Sequence, residues 1–272
     1  MSKKAIFLDL DGTLLTDDKK IPPDNQAAID EALAQGHSVV ISTGRPLSSG
    51  IILAEDLGLT GMGCYLITFN GGILYDMGRR KVLFKKTIPL PVVRGVFEEA
   101  NRRNIHIQTY AGDYVLVEER CDDDDVRYYC RRIRIGYKTI DDIRNLKEEP
   151  AKMLAIDRTG SESIRELRDW IITSYDGVLD SYFSSGQFVE IVPMGMDKGR
   201  ALRQMAEILG IAVSDTIAVG DEANDLKMIR AAGLGVAMAN ATGEVKKAAG
   251  YITEKDNNEG GVAEVIRKFI LR

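Results

Sequence analysis

The chain has 272 residues, 44% of them hydrophobic and 28% charged, with a formal net charge of −5. That composition fits a globular chain of one large domain or two ordinary ones and excludes a disordered polymer. The acidic balance argues against a nucleic-acid partner, and the lack of a membrane-length apolar run or signal-peptide core argues against a membrane one. Cys64, Cys121 and Cys130 show no CxxC spacing, so neither structural zinc nor a disulfide framework is indicated and a reducing cytoplasm is expected.

Residues 5–9 read as a buried strand that runs into Asp9-Leu10-Asp11-Gly12-Thr13. A helix starts at Pro22-Pro23-Asp24, carries Ala28, Ile29, Ala32 and Leu33 on one side and closes at Gly36. Ser38–Ser42 is a second strand, ending at Thr43-Gly44-Arg45-Pro46; a helix runs on to Leu57. Tyr65–Thr68 is a third strand, leading into the turn signal Asn70-Gly71-Gly72. The middle of the chain reads differently, with helical patterns near 91–103, 122–134 and 161–174 among short strands at 105–110, 114–117, 153–156 and 188–192. The first two of these strands, joined by Ala-Gly-Asp, suggest a hairpin, and so an antiparallel sheet. From Asp197 the first pattern resumes: a helix to Leu209, a strand at 216–219 ending in Gly220-Asp221-Glu222-Ala223-Asn224-Asp225, a helix to Ala232, a strand at 233–238, and helices near 243–249 and 260–270. One α/β domain, residues 1–84 and 193–272, is thus expected to be interrupted by another at 85–192.

Side chains two apart in an extended segment share one side, so Asp9 and Asp11 converge just past a strand end. Two crowded carboxylates call for a cation or a shared proton. The loops 9–13, 43–45, 70–72 and 220–225 each follow an apolar strand, and strand carboxyl ends line the ligand crevice of an open parallel sheet. An acidic chain that handles phosphate must supply positive charge locally, from a metal, a lysine or a helix N-terminus.

DLDGT at 9–13, Thr43-Gly44-Arg45, Asp197-Lys198-Gly199 and GDEAND at 220–225 resemble the four motifs of the haloacid dehalogenase-like phosphatase superfamily. Asn70-Gly71-Gly72, residues 235–241 and Gly261-Val262-Ala263 resemble its Cof-type branch, which includes bacterial sugar phosphatases. The resemblance implies an α/β fold: a Rossmann-like parallel-sheet core with an inserted α/β cap domain containing an antiparallel sheet. It implies Asp9 as nucleophile and Asp11 as general acid/base. Mg²⁺ is implied on Asp9, the Asp11 carbonyl and Asp221, with Asp225 behind them orienting metal waters or Lys198. Phosphate is expected at Thr43, Gly44, Lys198, Asn224 and the Leu10 N–H.

The implied activity is hydrolysis of a small phosphorylated metabolite, sugar phosphates first. Pyridoxal phosphate, flavin mononucleotide or a thiamine-precursor phosphate is the alternative, and a non-catalytic phosphate binder, a phosphomutase and a dehalogenase are rivals. Other polar residues have plainer readings. His37 is expected at the surface and His106 in core or surface. Tyr110, Tyr128, Tyr129 and Trp170 are packing residues, and Met228 and Met238 are core. Glu190 is either a substrate-hydroxyl contact or an exposed strand position.

Overall fold

The apolar run Ala5–Leu8 is a strand buried along its whole length, as expected for the interior of a sheet covered on both faces. In the computed structural model, which describes residues 3–271, this strand is β1. It is followed by α1 (Pro23–Ala34), β2 (Ser38–Ser42), α2 (Leu47–Asp56), β3 (Cys64–Thr68), β4 (Ile73–Asp76) and β5 (Lys81–Lys85). Next come α3 (Leu90–Arg102), β6 (His106–Ala111), β7 (Tyr114–Glu118), α4 (Asp124–Ile133), β8 (Tyr137–Ile140), β9 (Met153–Ile156), α5 (Glu162–Ser174), β10 (Leu179–Ser185) and β11 (Phe188–Pro193). The chain ends with α6 (Lys198–Leu209), β12 (Thr216–Gly220), α7 (Leu226–Ala231), β13 (Leu234–Ala237), α8 (Gly243–Ala248), β14 (Tyr251–Ile252) and α9 (Gly261–Phe269).

These elements form two compact units. The first comprises residues 1–44, 50–84 and 197–272; the second comprises 85–196 with 45–49. The first unit holds an eight-stranded sheet in the order β14-β13-β12-β1-β2-β3-β4-β5. Its strands from β14 to β3 are parallel, and β4 turns back antiparallel on β3 after Asn70-Gly71-Gly72. Phe7, Val40, Ile67 and Ala218 from one sheet face pack against Leu202 and Met205 of α6 and Met228 of α7.

The second unit holds a six-stranded sheet ordered β10-β11-β9-β6-β7-β8. Ile107, Met153, Val189 and Ile191 meet Val96 and Phe97 of α3 and Leu167 and Ile171 of α5. β6 and β7 form the hairpin expected around Ala111-Gly112-Asp113, whereas β7 and β8 pair in parallel within the otherwise antiparallel sheet. Among the described residues, no helix is long and apolar enough to cross a membrane.

Candidate active site

Chain order in the first sheet reverses between β1 and β12, because the strands run outward from there in both directions. An open α/β sheet takes its ligand at such a reversal, outside the carboxyl ends of the strands. Leu8 lies beside Val219, and the Asp9 N–H donates to the Val219 carbonyl at 3.1 Å. Asp9 and Asp221 therefore leave adjacent strands at the same level. Gly12 has φ +81°, and a Cβ there would lie 2.3 Å from Asp221 Oδ2, so only glycine lets the two loops close together. Thr13 Oγ1 donates to Asp221 Oδ1 at 2.8 Å, and Asn240 Nδ2 donates to the Gly12 carbonyl at 2.8 Å.

Lys198 opens α6 behind the N-cap Asp197, which accepts from the Arg200 N–H at 2.8 Å. Its buried ammonium donates to Asp9 Oδ1 at 2.5 Å and Asp225 Oδ1 at 2.7 Å. The other oxygen of Asp225 accepts the N–H groups of Asp221 at 3.1 Å and Glu222 at 3.3 Å, which ties the whole 220–225 loop to the lysine. A Cβ on Gly220 would come within 2.5 Å of Asp225 Cβ. Glycine at 220 is thus the condition for Asp225 to fold back over its own strand end.

Charge in this site is unbalanced. One carboxylate oxygen from each of Asp9, Asp221 and Asp225 lies within 4.8 Å of the other two, and all three residues are buried around a single ammonium. Burial pushes Asp9 up to about 7; Lys198 opposes this, while Asp225 and Asp221 add to it. Burial likewise raises Asp221 to about 6, against the Thr13 hydrogen bond and with help from Asp225 and Glu222. Burial alone would lower Lys198, but Asp9 and Asp225 hold it above its ordinary value. A set of hard carboxylate oxygens carrying surplus negative charge fits a divalent cation with oxygen preference.

The structure thus brings Asp9, Lys198, Asp221 and Asp225 into one hydrogen-bonded group. Asp11 is exposed, with Lys19 Nζ at 2.7 Å. Leu10 buries its side chain, and its carbonyl accepts the Leu15 N–H at 2.9 Å. Thr43 and Gly44 follow β2. The Thr43 N–H donates to the Ile67 carbonyl at 2.8 Å, since the sheet ladder runs one residue past the strand. Asn224 is exposed in the turn after β12.

Thr13 and Asn240 were not anticipated. Both lie inside recognisable motif segments, but nothing in the sequence says which loop each one ties. His37, expected at the surface, is buried, and its Nδ1 accepts the Lys4 N–H at 3.1 Å. Glu190 is not an exposed strand position: β11 is interior to its sheet, and Glu190 is buried against Lys152 with Ser184 Oγ donating at 2.8 Å. Cys64, Cys121 and Cys130 are buried and unbridged.

A doubly covered α/β sheet whose strand-end acids crowd around a lysine at its reversal point is the framework of an enzyme for anionic substrates. The model of the haloacid dehalogenase-like hydrolase family matches residues 6–266. The chain belongs to that family, in its Cof-type branch, and is a phosphatase. It is similar to a putative phosphatase of Streptococcus pyogenes, with 34% identity covering 100% of both chains. It is also 34% identical to a 5-amino-6-(5-phospho-D-ribitylamino)uracil phosphatase of Bacillus subtilis, over 98% of this chain and 96% of that one. Among solved structures, a haloacid dehalogenase-like hydrolase from Bacteroides thetaiotaomicron superposes with a TM-score of 0.89 at 32% identity, covering 98% of this chain and 99% of that one.

Proposed function

We propose that this phosphatase is a Mg²⁺-dependent phosphomonoesterase that works through an aspartyl-phosphate on Asp9. The observation that carries the proposal is Asp9 itself: a buried carboxylate at a strand tip, held by Lys198 at 2.5 Å and crowded by Asp221 and Asp225. Lys198 favours the ionised, attacking form of Asp9 against the effect of burial. An Asp9 oxygen bonds to phosphorus as the ester oxygen departs, and Asp11 gives that oxygen its proton. Asp11 then takes a proton from water, which attacks the same phosphorus, releasing inorganic phosphate and restoring Asp9.

Asp11 must swing away from Lys19 to do this, and a surface pair of that kind is worth only about 0–1 kcal/mol. Lys198, the Thr43 hydroxyl, the N–H groups of Leu10 and Gly44, and Asn224 hold the phosphoryl oxygens. Asp9, the Asp11 carbonyl and Asp221 would hold Mg²⁺, with Asp225 fixing Lys198 and the loop behind them. The ion supplies positive charge against the phosphoryl oxygens when bound.

Selection of the leaving group is assigned to a cap formed by the inserted residues 85–192, and the setting to the cytoplasm. Sugar phosphates are the leading substrate class, on the Cof-type kinship. The Bacillus relative, named for a phosphorylated ribityl compound, favours a second reading: a cofactor-type ester such as a flavin precursor, flavin mononucleotide, pyridoxal phosphate or a thiamine precursor. A phosphate-release assay across sugar phosphates and these cofactor esters, with Mg²⁺ or EDTA, tests the proposal. Release of inorganic phosphate that stops in EDTA, and that Asp11→Asn abolishes, is expected. Binding without release on every ester would make the chain a binder, isomerised sugar phosphate a mutase, and full activity in EDTA would remove the Mg²⁺ role.

A further inference from the structure

The inserted unit carries a second cluster of metal-ligating atoms. His106 opens β6, Cys121 ends the 3₁₀ turn Glu119–Cys121 after β7, and Asp123 is the N-cap of α4. One ligand atom from each of these residues lies within 4.8 Å of the other two. His106 and Cys121 are buried, while the Asp123 side chain is 40% exposed and opens the cluster to solvent. Asp123 Oδ1 accepts the N–H groups of Asp125 at 2.9 Å and Val126 at 3.1 Å, so this carboxylate is fixed before any ligand arrives. Its Oδ2 faces His106 Nδ1 at 2.9 Å, and His106 Nε2 meets Gln108 Oε1 at 3.2 Å.

We propose that His106 Nδ1, Cys121 Sγ and Asp123 Oδ2 form a binding site for a zinc-class transition-metal ion, with a solvent molecule as fourth ligand. One nitrogen, one sulfur and one oxygen make a donor set for zinc rather than for magnesium, which keeps to oxygen. Tetrahedral zinc with bonds of about 2.0–2.3 Å needs ligand atoms about 3.3–3.6 Å apart, so the His106–Asp123 pair opens by only about 0.4 Å. An Nε2–H donated to Gln108 Oε1 turns Nδ1 toward the ion, the usual way a ligating imidazole is oriented. Thiolate and carboxylate together neutralise a dication, which suits a site with two buried members. Burial alone would lower His106, but the hydrogen bond to Asp123 and the contact with Cys121 raise it to about 9. An ion held by Nδ1, Sγ and Oδ2 would take the place of the direct contact between His106 and Asp123. The absence of CxxC spacing hid this site from the sequence.

Cobalt(II) titration of the full chain tests the proposal, with excess Mg²⁺ present to occupy the oxygen-rich site of the first unit. One equivalent of Co²⁺ is expected to give a near-ultraviolet thiolate-to-cobalt band and the intense visible bands of a four-coordinate ion, both bleached by Zn²⁺. Cys121→Ser should lose the thiolate band while Cys130→Ser keeps it, and Gln108→Leu should weaken Co²⁺ binding about 10–100-fold. No thiolate band in the unsubstituted chain, or an undiminished band in Cys121→Ser, overturns the assignment. Both readouts are spectral, so they stand or fall separately from phosphatase activity.

Discussion

Asp9→Asn should remove activity and stabilise the fold. The substitution keeps the shape of the side chain while deleting its charge and its attacking oxygen. In the metal-free protein, burial and then the neighbouring Asp225 and Asp221, with Lys198 opposing, raise Asp9 from an ordinary 3.8 to about 7. At 1.36 kcal/mol per pH unit, the folded state gives up about 4 kcal/mol above pH 7 to keep that group ionised. The amide recovers only part of this, because Lys198 loses one of its two carboxylates, and a gain of about 1–3 kcal/mol is expected. In a chain of this size that raises the melting temperature by about 2–10 °C.

The sign follows from the direction of the shift. A raised carboxyl favours the folded state below the unfolded value of 3.8, and that advantage is lost as pH rises through about 7. The benefit of Asn should therefore be large at pH 8 and shrink by pH 5. Thermal unfolding in EDTA at both pH values measures it, beside p-nitrophenyl phosphate hydrolysis with Mg²⁺, which should fall at least about 10⁴-fold. A variant that melts at or below the parent at pH 8 refutes the charge-crowding argument, and one that turns over normally refutes the nucleophile.

Lys198→Met leaves the buried carboxylates of Asp9 and Asp225 without their shared donor; a loss of about 3–5 kcal/mol and a melting point lower by about 10 °C are expected by calorimetry in EDTA. In the second unit, Glu99 accepts from Arg102 and Arg103, which hold its carboxyl at about 2 against an ordinary 4.5. Its contribution is present above pH 4.5 and fades as pH falls toward 2, so urea midpoints of Glu99→Gln should decline less steeply than the parent's over that range.

Interior strands were readable because burial on both faces demands unbroken apolar runs, as in Ala5–Leu8 and Thr216–Gly220. Strands nearer the edges were not. β5, Lys-Val-Leu-Phe-Lys, and β8, Tyr-Lys-Thr-Ile, are partly exposed, and β10 mixes Asp and Ser into its length, so none of them carries that signal. The gathering of Asp9, Asp221 and Lys198 was legible because their loops match family motifs together, although each alone reads equally well as a turn, a cap or a solvated helix start. Glu190 was not, because its partner Lys152 is remote in sequence and only the sheet register brings β9 beside β11. His37 was misplaced for a similar reason: its imidazole accepts the N–H of Lys4, remote in sequence and just ahead of the neighbouring strand.

β1 pairs with β2 on one edge and with β12 on the other. A ribosome adding about 5–20 residues per second completes β2 some 10–40 s before β12 exists. Through that interval the most apolar strand of the sheet has one open side, the kind that attracts foreign strands. The stretch from 85 to 196 is emerging meanwhile and is nearly self-contained. The acids of positions 9 and 221 meet only when four-fifths of the polypeptide has been made, so the acid cluster cannot assemble on any shorter nascent chain.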